Sequence, residues 1–224
     1  MGSGKSTAGV KFCKDDNDRE QKKVISNMHL RFPYTKFDLA WFLEHITDTE
    51  IMDCDLLLDE PGQLMDARSS QTKMNKLWTY FVVQTRKRGV DLYLPVHSIE
   101  NIDVRIRRAI DIRGSCRTYQ KVCPRCKCRV CKGTGKGKEG LPCKECNGVG
   151  GTGTIDGKPC LDCRGFGKLG LTRVFCLDRR LHKRYVVDCV SNDYWPWFDT
   201  GEMIPLSAKL IAGIDVQELQ YSGA

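Results

Sequence analysis

"MGSGKSTAGV", residues 1–10, opens the chain with half of a phosphate-cradling loop. Such a loop reads G-x-x-x-x-G-K-[ST], and Gly4-Lys5-Ser6 supplies its second half. Glycines let backbone N–H groups approach polyphosphate oxygens, and the helix that follows adds its positive N-terminal end. Gly2, Ser3, Gly4, Lys5, Ser6 and Thr7 are therefore candidate nucleotide-binding residues. Lys5 is expected to reach the β- and γ-phosphates, and the Ser6 hydroxyl to ligate Mg²⁺. A complete loop has a strand and another glycine ahead of it. The expectation is that the reading frame continues upstream with both, and an in-frame stop directly before Met1 would refute it. The competing reading is a polar Gly/Ser tail of no function, which Lys5-Ser6-Thr7 argues against.

A second stretch completes the pattern about fifty residues on. "CDLLLDE", Cys54–Glu60, is a short apolar run that ends in two acids. A buried strand with an acid at its carboxyl end holds Mg²⁺ there, so Asp59 joins Ser6 as a magnesium candidate. Glu60, next to it, is placed to polarise an attacking water, which favours ATP hydrolysis over small-molecule phosphorylation. The next strand-like run, "VDLYLPV" at 90–96, ends in His97 and Ser98, candidates for sensing the γ-phosphate.

Between these motifs the first 120 residues alternate apolar runs with helical patterns, which is an α/β signature. A helix is expected from Ser6 into "KDDNDREQKK", a strand over Val24–Asn27, and a helix over Lys36–His45. Arg68–Arg88 reads as the clearest helix, with Met74, Leu77, Trp78, Phe81 and Val82 forming one apolar stripe. It ends in "RKRG", cations on the negative helix terminus followed by a glycine. "IDVRIRRAID" follows as a basic segment, and "IRGSCRTY", "LTRVFCLD" and "RYVVDCV" read as strands. The flanks "CRTY" and "TRVF" read as two sides of a hairpin, with everything between them inserted at its tip.

That insert is the cysteine module. Eight of the chain's 13 cysteines form four C-x-x-C pairs: Cys123 and Cys126, Cys128 and Cys131, Cys143 and Cys146, Cys160 and Cys163. A C-x-x-C turn aims two thiolates at one tetrahedral metal, and two turns complete Cys₄, so eight cysteines make two Zn²⁺ sites. No histidine lies among them, which favours all-thiolate ligation; a redox or disulfide role is the alternative. Spacing alone leaves the pairing of the four turns open. The remaining Cys13, Cys54, Cys116, Cys176 and Cys189 sit in helix or strand patterns and read as small buried apolar residues.

The charge is placed unevenly. The chain carries a formal +8, and Cys116–Lys168 holds 12 Lys and Arg against 4 Asp and Glu. Eight thiolates with two Zn²⁺ would reduce that module's balance to about +4, still basic enough for phosphate contact; a solubilising face is the plain alternative. No run approaches the ~20 apolar residues of a membrane span. The first residues are glycine-rich and polar, unlike a secretion signal. "YWPWF" at 194–198 reads as packing, with a subunit or capsid docking patch as its alternative.

On these residues the chain resembles a known family. "SNMHLRFPY" and the run from "LLLDEPGQLMDARSS" to "VHSIENIDVRIRRAID" are similar to the HerA/FtsK superfamily of DNA-pumping ATPases, in its short viral and mobile-element branch. The resemblance implies a RecA-like P-loop core over 1–120 and 171–224, and ATP with Mg²⁺ as cofactors. It implies a homo-oligomeric, hexameric ring acting on double-stranded DNA, with capsid or coat protein as a further partner. It also implies a place in the host cytoplasm or with the virion. His97 stands where that family carries a glutamine sensor. An arginine finger from the neighbouring subunit is implied too, with Arg105 the leading candidate beside Arg68, Arg86, Arg88, Arg107 and Arg108. The module at 121–170 carries three C-x-x-C-x-G-x-G repeats, which resemble the cysteine-rich region of DnaJ-type cochaperones. That resemblance implies nesting of the first pair with the fourth and the second with the third, although Lys127 alone separates the first two pairs here. A zinc adaptor without catalysis, or a DnaJ-like chaperone module, are the alternatives to a motor; the chain has no HPD signature of a J-domain.

Overall fold

The computed structural model describes residues 3–46, 51–65, 72–137 and 140–198. The chain is mixed α/β and divides into two compact units. One unit runs through Lys11 and resumes over Asp111–Pro196; the other comprises Phe12–Ile110 and the residues from Trp197. The boundary falls within the first helix, α1 (Lys5–Glu20).

The second unit is built on a parallel sheet. Its strands are β1 (Lys23–Ser26), β2 (Thr35–Lys36), β3 (Cys54–Leu57) and β4 (Asp91–Tyr93), in the order β2-β1-β3-β4. Every residue of β3 is buried, as are Val24–Ser26 of β1. Parallel strands covered on both faces read as near-continuous apolar runs for this reason, interrupted in β3 by the buried Asp55. β4 is shorter than "VDLYLPV" suggested, because Pro95 has no N–H to give to a ladder. Backbone pairing nevertheless continues past it: Leu58 N–H donates to Tyr93 O at 3.0 Å, and Glu60 N–H to Pro95 O at 3.1 Å.

Helix α2 (Leu39–His45) starts later than the sequence suggested, since Thr35 and Lys36 pair as β2 and Asp38 caps the helix. The Asp38 carboxylate accepts from Trp41 N–H at 2.8 Å. Helix α3 (Lys73–Gln84) is capped by Thr72, tightens into a 3₁₀ turn over Thr85–Arg88, and stops at Gly89 with φ of 65°. Its expected stripe is the core: Trp78 and Phe81 are almost wholly buried, with Val82 beside them. Phe42 of α2 stacks on Trp78 at 4.2 Å and meets Phe81 edge-on at 5.1 Å. Each of these rings contributes roughly 1.5–3 kcal/mol through burial alone. Helix α4 (Val104–Ala109) emerges from the basic segment; six residues are too few for periodicity to mark it, and Asp103 caps it while Ile106 is buried.

The first unit is antiparallel. β5 (Ile112–Val122), β8 (Lys168–Asp178) and β9 (Lys183–Val190) form a sheet in the order β5-β8-β9. Cys116 stands opposite Val174 and Thr118 opposite Thr172, so "CRTY" and "TRVF" are the two sides of one hairpin. The cysteine module rises from its end, with a two-stranded ribbon of β6 (Thr154–Ile155) and β7 (Lys158–Pro159) inside it. After β9 comes the short α5 (Ser191–Tyr194). Trp195 closes over Gly170, where an added Cβ would lie 2.5 Å from the indole, and meets Phe166 edge-on at 5.1 Å. In the second unit Trp197 packs edge-on against Phe32 at 6.3 Å, and Phe198 is buried. The aromatic tail is thus engaged in packing.

Four of the five isolated cysteines, Cys13, Cys54, Cys176 and Cys189, are buried; Cys116 is half-buried. No helix among the described residues is long and apolar enough to cross a membrane.

Candidate metal centres and nucleotide-binding elements

The four C-x-x-C turns converge two by two. Cys123, Cys126, Cys160 and Cys163 form one group, and Cys128, Cys131, Cys143 and Cys146 the other, all eight buried. The turns are nested, first with fourth and second with third. The single residue Lys127 between the first two turns is enough for the chain to pass from one group to the next.

Distances decide what the groups can hold. A tetrahedral metal with sulfur at ~2.3 Å needs sulfur–sulfur edges of about 3.8 Å. Across the outer group Cys123 and Cys160 lie 3.8 Å apart and Cys126 and Cys163 3.5 Å. In the inner group Cys128 and Cys143 lie 4.0 Å apart, and Cys131 and Cys146 3.7 Å. A disulfide would need ~2.05 Å, and all thirteen cysteines are free. The geometry fits two Cys₄ zinc sites and no sulfur–sulfur bond.

The glycines behind the turns serve the sulfurs. In the three repeats the residue after the second cysteine takes a left-handed conformation: Lys132, Asn147 and Arg164 at φ 47–51°. The six glycines of the G-x-G pairs also have positive φ, from 69° to 88°. That course turns amides back toward sulfur. Gly135 N–H donates to Cys131 at 3.3 Å, and Gly150 N–H to Cys146 at 3.2 Å. Burial pushes the Cys131 thiol up, but the amides of Gly135 and Gly133 with the neighbouring thiols outweigh it and bring the group down to about 6. Burial pushes Cys146 up to about 11. Amides aimed at sulfur stabilise thiolate, the form a metal binds.

Asn192 locks the outer group to the hairpin, and sequence reading missed it. Its side chain is 1% exposed. It accepts from Gly170 N–H at 2.7 Å and donates to Cys163 O at 3.0 Å and Lys168 O at 2.8 Å. Beside it the hydroxyls of Thr118, Thr172 and Ser191 form a chain at 2.9 Å spacing.

The nucleotide candidates divide between the units, and each set stands within its own. In the first unit Gly4 adopts φ of 85° and leads into α1. A side chain there would meet the Thr118 hydroxyl at 2.2 Å, so only glycine fits. Lys5 and Ser6 occupy the first turn of α1, with the Lys5 ammonium 3.1 Å from Ser3 Oγ. Thr7 is buried. Gly2 lies outside the described residues.

In the second unit Asp59 and Glu60 follow β3 after the single residue Leu58. Asn27, the residue after β1, makes a double amide bridge to the Asp59 backbone: Asp59 N–H donates to Asn27 Oδ1, and Asn27 Nδ2 donates to Asp59 O, both at 2.9 Å. Glu60 is left-handed at φ 51°, a strained conformation for a residue with a side chain. Its Oε1 lies 3.0 Å from His97 Nε2. His97 follows β4, so two neighbouring parallel strands bring these side chains together at their carboxyl ends. Asn27 gave no motif signal, because an asparagine after an apolar run also reads as an ordinary strand stop.

Arg105 is engaged locally. Its guanidinium forks onto Asp103, Nε to Oδ1 at 3.1 Å and the terminal nitrogen to Oδ2 at 3.0 Å. Arg105 in turn holds the buried Asp103 carboxyl below its ordinary range. Arg88 lies over the Phe81 ring at 5.9 Å. Arg68 lies outside the described residues.

No protein-family model matches the chain, and no curated protein matches it. The chain is similar in structure to the N-terminal domain of zonular occludens toxin from Neisseria meningitidis, at 14% identity and a TM-score of 0.48, over 88% of this chain and 94% of that one.

Proposed function

We propose that the chain is a Mg²⁺-dependent ATPase with a RecA-like core that moves or packages double-stranded DNA as a homo-oligomeric ring, stiffened by a double-zinc module. The observation that carries the ATPase reading is the pairing of Glu60 with His97 at the carboxyl ends of adjacent parallel strands. Open parallel sheets bind ligands at that end. A buried apolar strand that delivers two consecutive acids there suits a metal-bound nucleotide and its attacking water. In this reading Asp59 and Ser6 hold Mg²⁺, Lys5 stabilises the γ-phosphate, Glu60 activates water, and His97 senses the phosphate through Glu60. The Gly4-Lys5-Ser6 start of α1 supports the phosphate-binding part. The DNA and ring parts rest on the resemblance of the sequence to DNA-pumping ATPases, and a capsid or coat protein is the further partner they imply.

The test is ATP hydrolysis by the chain with and without double-stranded DNA, beside Glu60→Gln. DNA-stimulated turnover that Glu60→Gln removes establishes the motor. Absence of turnover with two zincs bound per chain, both in this chain and in a version that carries the upstream strand and glycine expected above, refutes it and leaves a zinc adaptor, the reading that the two complete Cys₄ groups favour on their own.

A further inference from the structure

The two metal groups are dressed differently. Around the outer group the arginines are matched by acids: Arg125 pairs with Asp162 at 3.0 Å and Arg164 with Asp193 at 2.7 Å. Around the inner group Lys127, Arg129, Lys132, Lys136 and Lys144 are all exposed, and Glu145 is the one acid among the described residues there. No ion pair links any of these five cations to an acid among the described residues.

Their placement is fixed by the knuckles. Arg129 and Lys144 hold the same position in their turns, directly after Cys128 and Cys143. Lys132 sits in the left-handed residue behind Cys131. The Lys127 stem lies across Gly133, where an added Cβ would meet its Cε at 2.5 Å. Val130 and Leu141, neighbours of these cations along the chain, are exposed at 71% and 63%.

We propose that the inner Cys₄ knuckle is a docking surface for the phosphate backbone of nucleic acid, with Lys127, Arg129, Lys132 and Lys144 as its contacts. The assignment rests on the DNA-motor reading for the identity of the polyanion. Cations on short, metal-braced turns lose little freedom on meeting phosphates, and among the described residues no acid pairs with them. Salt contacts from lysine and arginine to phosphate oxygens position a backbone and carry no sequence information. The module then grips whichever sequence is present, as a motor substrate requires.

The experiment titrates the zinc-loaded chain with a fluorescent 20-base-pair duplex at several salt concentrations. The comparison is the combined variant Lys127→Gln, Arg129→Gln, Lys132→Gln and Lys144→Gln. Each lost phosphate contact lowers the slope of log affinity against log salt by ~0.9, so the slope falls by about 3–4 and affinity in moderate salt by roughly 100-fold. Zinc content is measured alongside; if the combined variant loses metal, Arg129→Gln alone carries the test and must lower the slope by about 1. An unchanged slope overturns the proposal. So does displacement of the duplex by polyglutamate as readily as by unlabelled duplex at equal charge, which would point to an acidic protein. The motor reading fails separately, by absent ATP turnover, whatever the salt slope is.

Discussion

Replacing Asn192 by alanine tests whether the module and its hairpin form one cooperative body. The Asn192 amide makes three hydrogen bonds to backbone groups of a buried site, at 2.7, 2.8 and 3.0 Å. Each contributes about 1 kcal/mol net, and a buried donor left unmatched costs about 1–3 kcal/mol. Gly170 N–H is that donor, since Trp195 covers the glycine. The two carbonyls have spare lone pairs and lose less. The total is about 4 kcal/mol, which for a chain of this size lowers the midpoint of thermal unfolding by about 10 °C. Asn192→Asp separates the terms, because a carboxylate still accepts from Gly170 but can donate to neither Cys163 O nor Lys168 O. The assay is urea unfolding followed in parallel with zinc release to a chromogenic chelator. Asn192→Ala should shift both transitions together, and Asn192→Asp should lose the outer metal first. A loss below 1 kcal/mol, or zinc release unaffected in both variants, refutes the assignment of Asn192 as the clamp.

Elemental analysis should find two zincs per chain, and Cys143→Ser should leave one, because the nested groups share no ligand. Asp55 is wholly buried in β3 with Lys22 Nζ 3.0 Å away, and burial pushes its carboxyl up to about 7. A carboxyl raised in the folded state favours folding fully below its unfolded value near 3.8 and loses that contribution as pH rises toward 7. Urea unfolding should therefore show roughly 1–4 kcal/mol of stability lost over that window, and Asp55→Asn should flatten the loss, with Lys22 keeping Asp91 as its partner. If the chain is the ATPase proposed above, Asn27→Ala should lower its kcat by about 10-fold with little change in KM, since it frees the Asp59 backbone rather than the nucleotide; a rise in KM alone would count against this. Gly4→Ala should destabilise the chain by at least 1 kcal/mol, from its left-handed backbone and the hydroxyl of Thr118 in the way.

Legibility in the sequence followed the range of the interaction. Lys5, Ser6, Asp59 and Glu60 announce themselves because their motifs are spelled out by neighbours along the chain. The α3 stripe was equally plain, since helix period and core face are one property. Strand pairing of "CRTY" with "TRVF" was readable because both flank one composition break. The nesting of the cysteine turns was not, because each turn has the same local spacing whichever partner it takes. Asn27 and Asn192 were silent for a related reason: an asparagine after a strand is common, and its role here depends on backbone 32 and 22 to 29 residues away. α4 is too short for a period, and the Asp103–Arg105 fork that steadies it is invisible in a run of alternating charges.

The register of the β5–β8 hairpin has a consequence for how this protein could be rebuilt. Val122 stands directly opposite Lys168, and the ladder from Ile112 to that pair has no bulge. The whole of 123–167 therefore leaves and re-enters through two points one strand spacing apart. A two-residue Asn-Gly turn in its place would join Val122 to Lys168 in the same register. The excised chain would be a shortened version with its sheet intact, and the segment removed would be a self-contained cassette whose folding is switched on by metal. Grafted onto the end of another antiparallel hairpin, that cassette needs two adjacent strands, an amide to replace Asn192, and groups to stand in for Trp195 against Phe166 and for Asp193 beside Arg164.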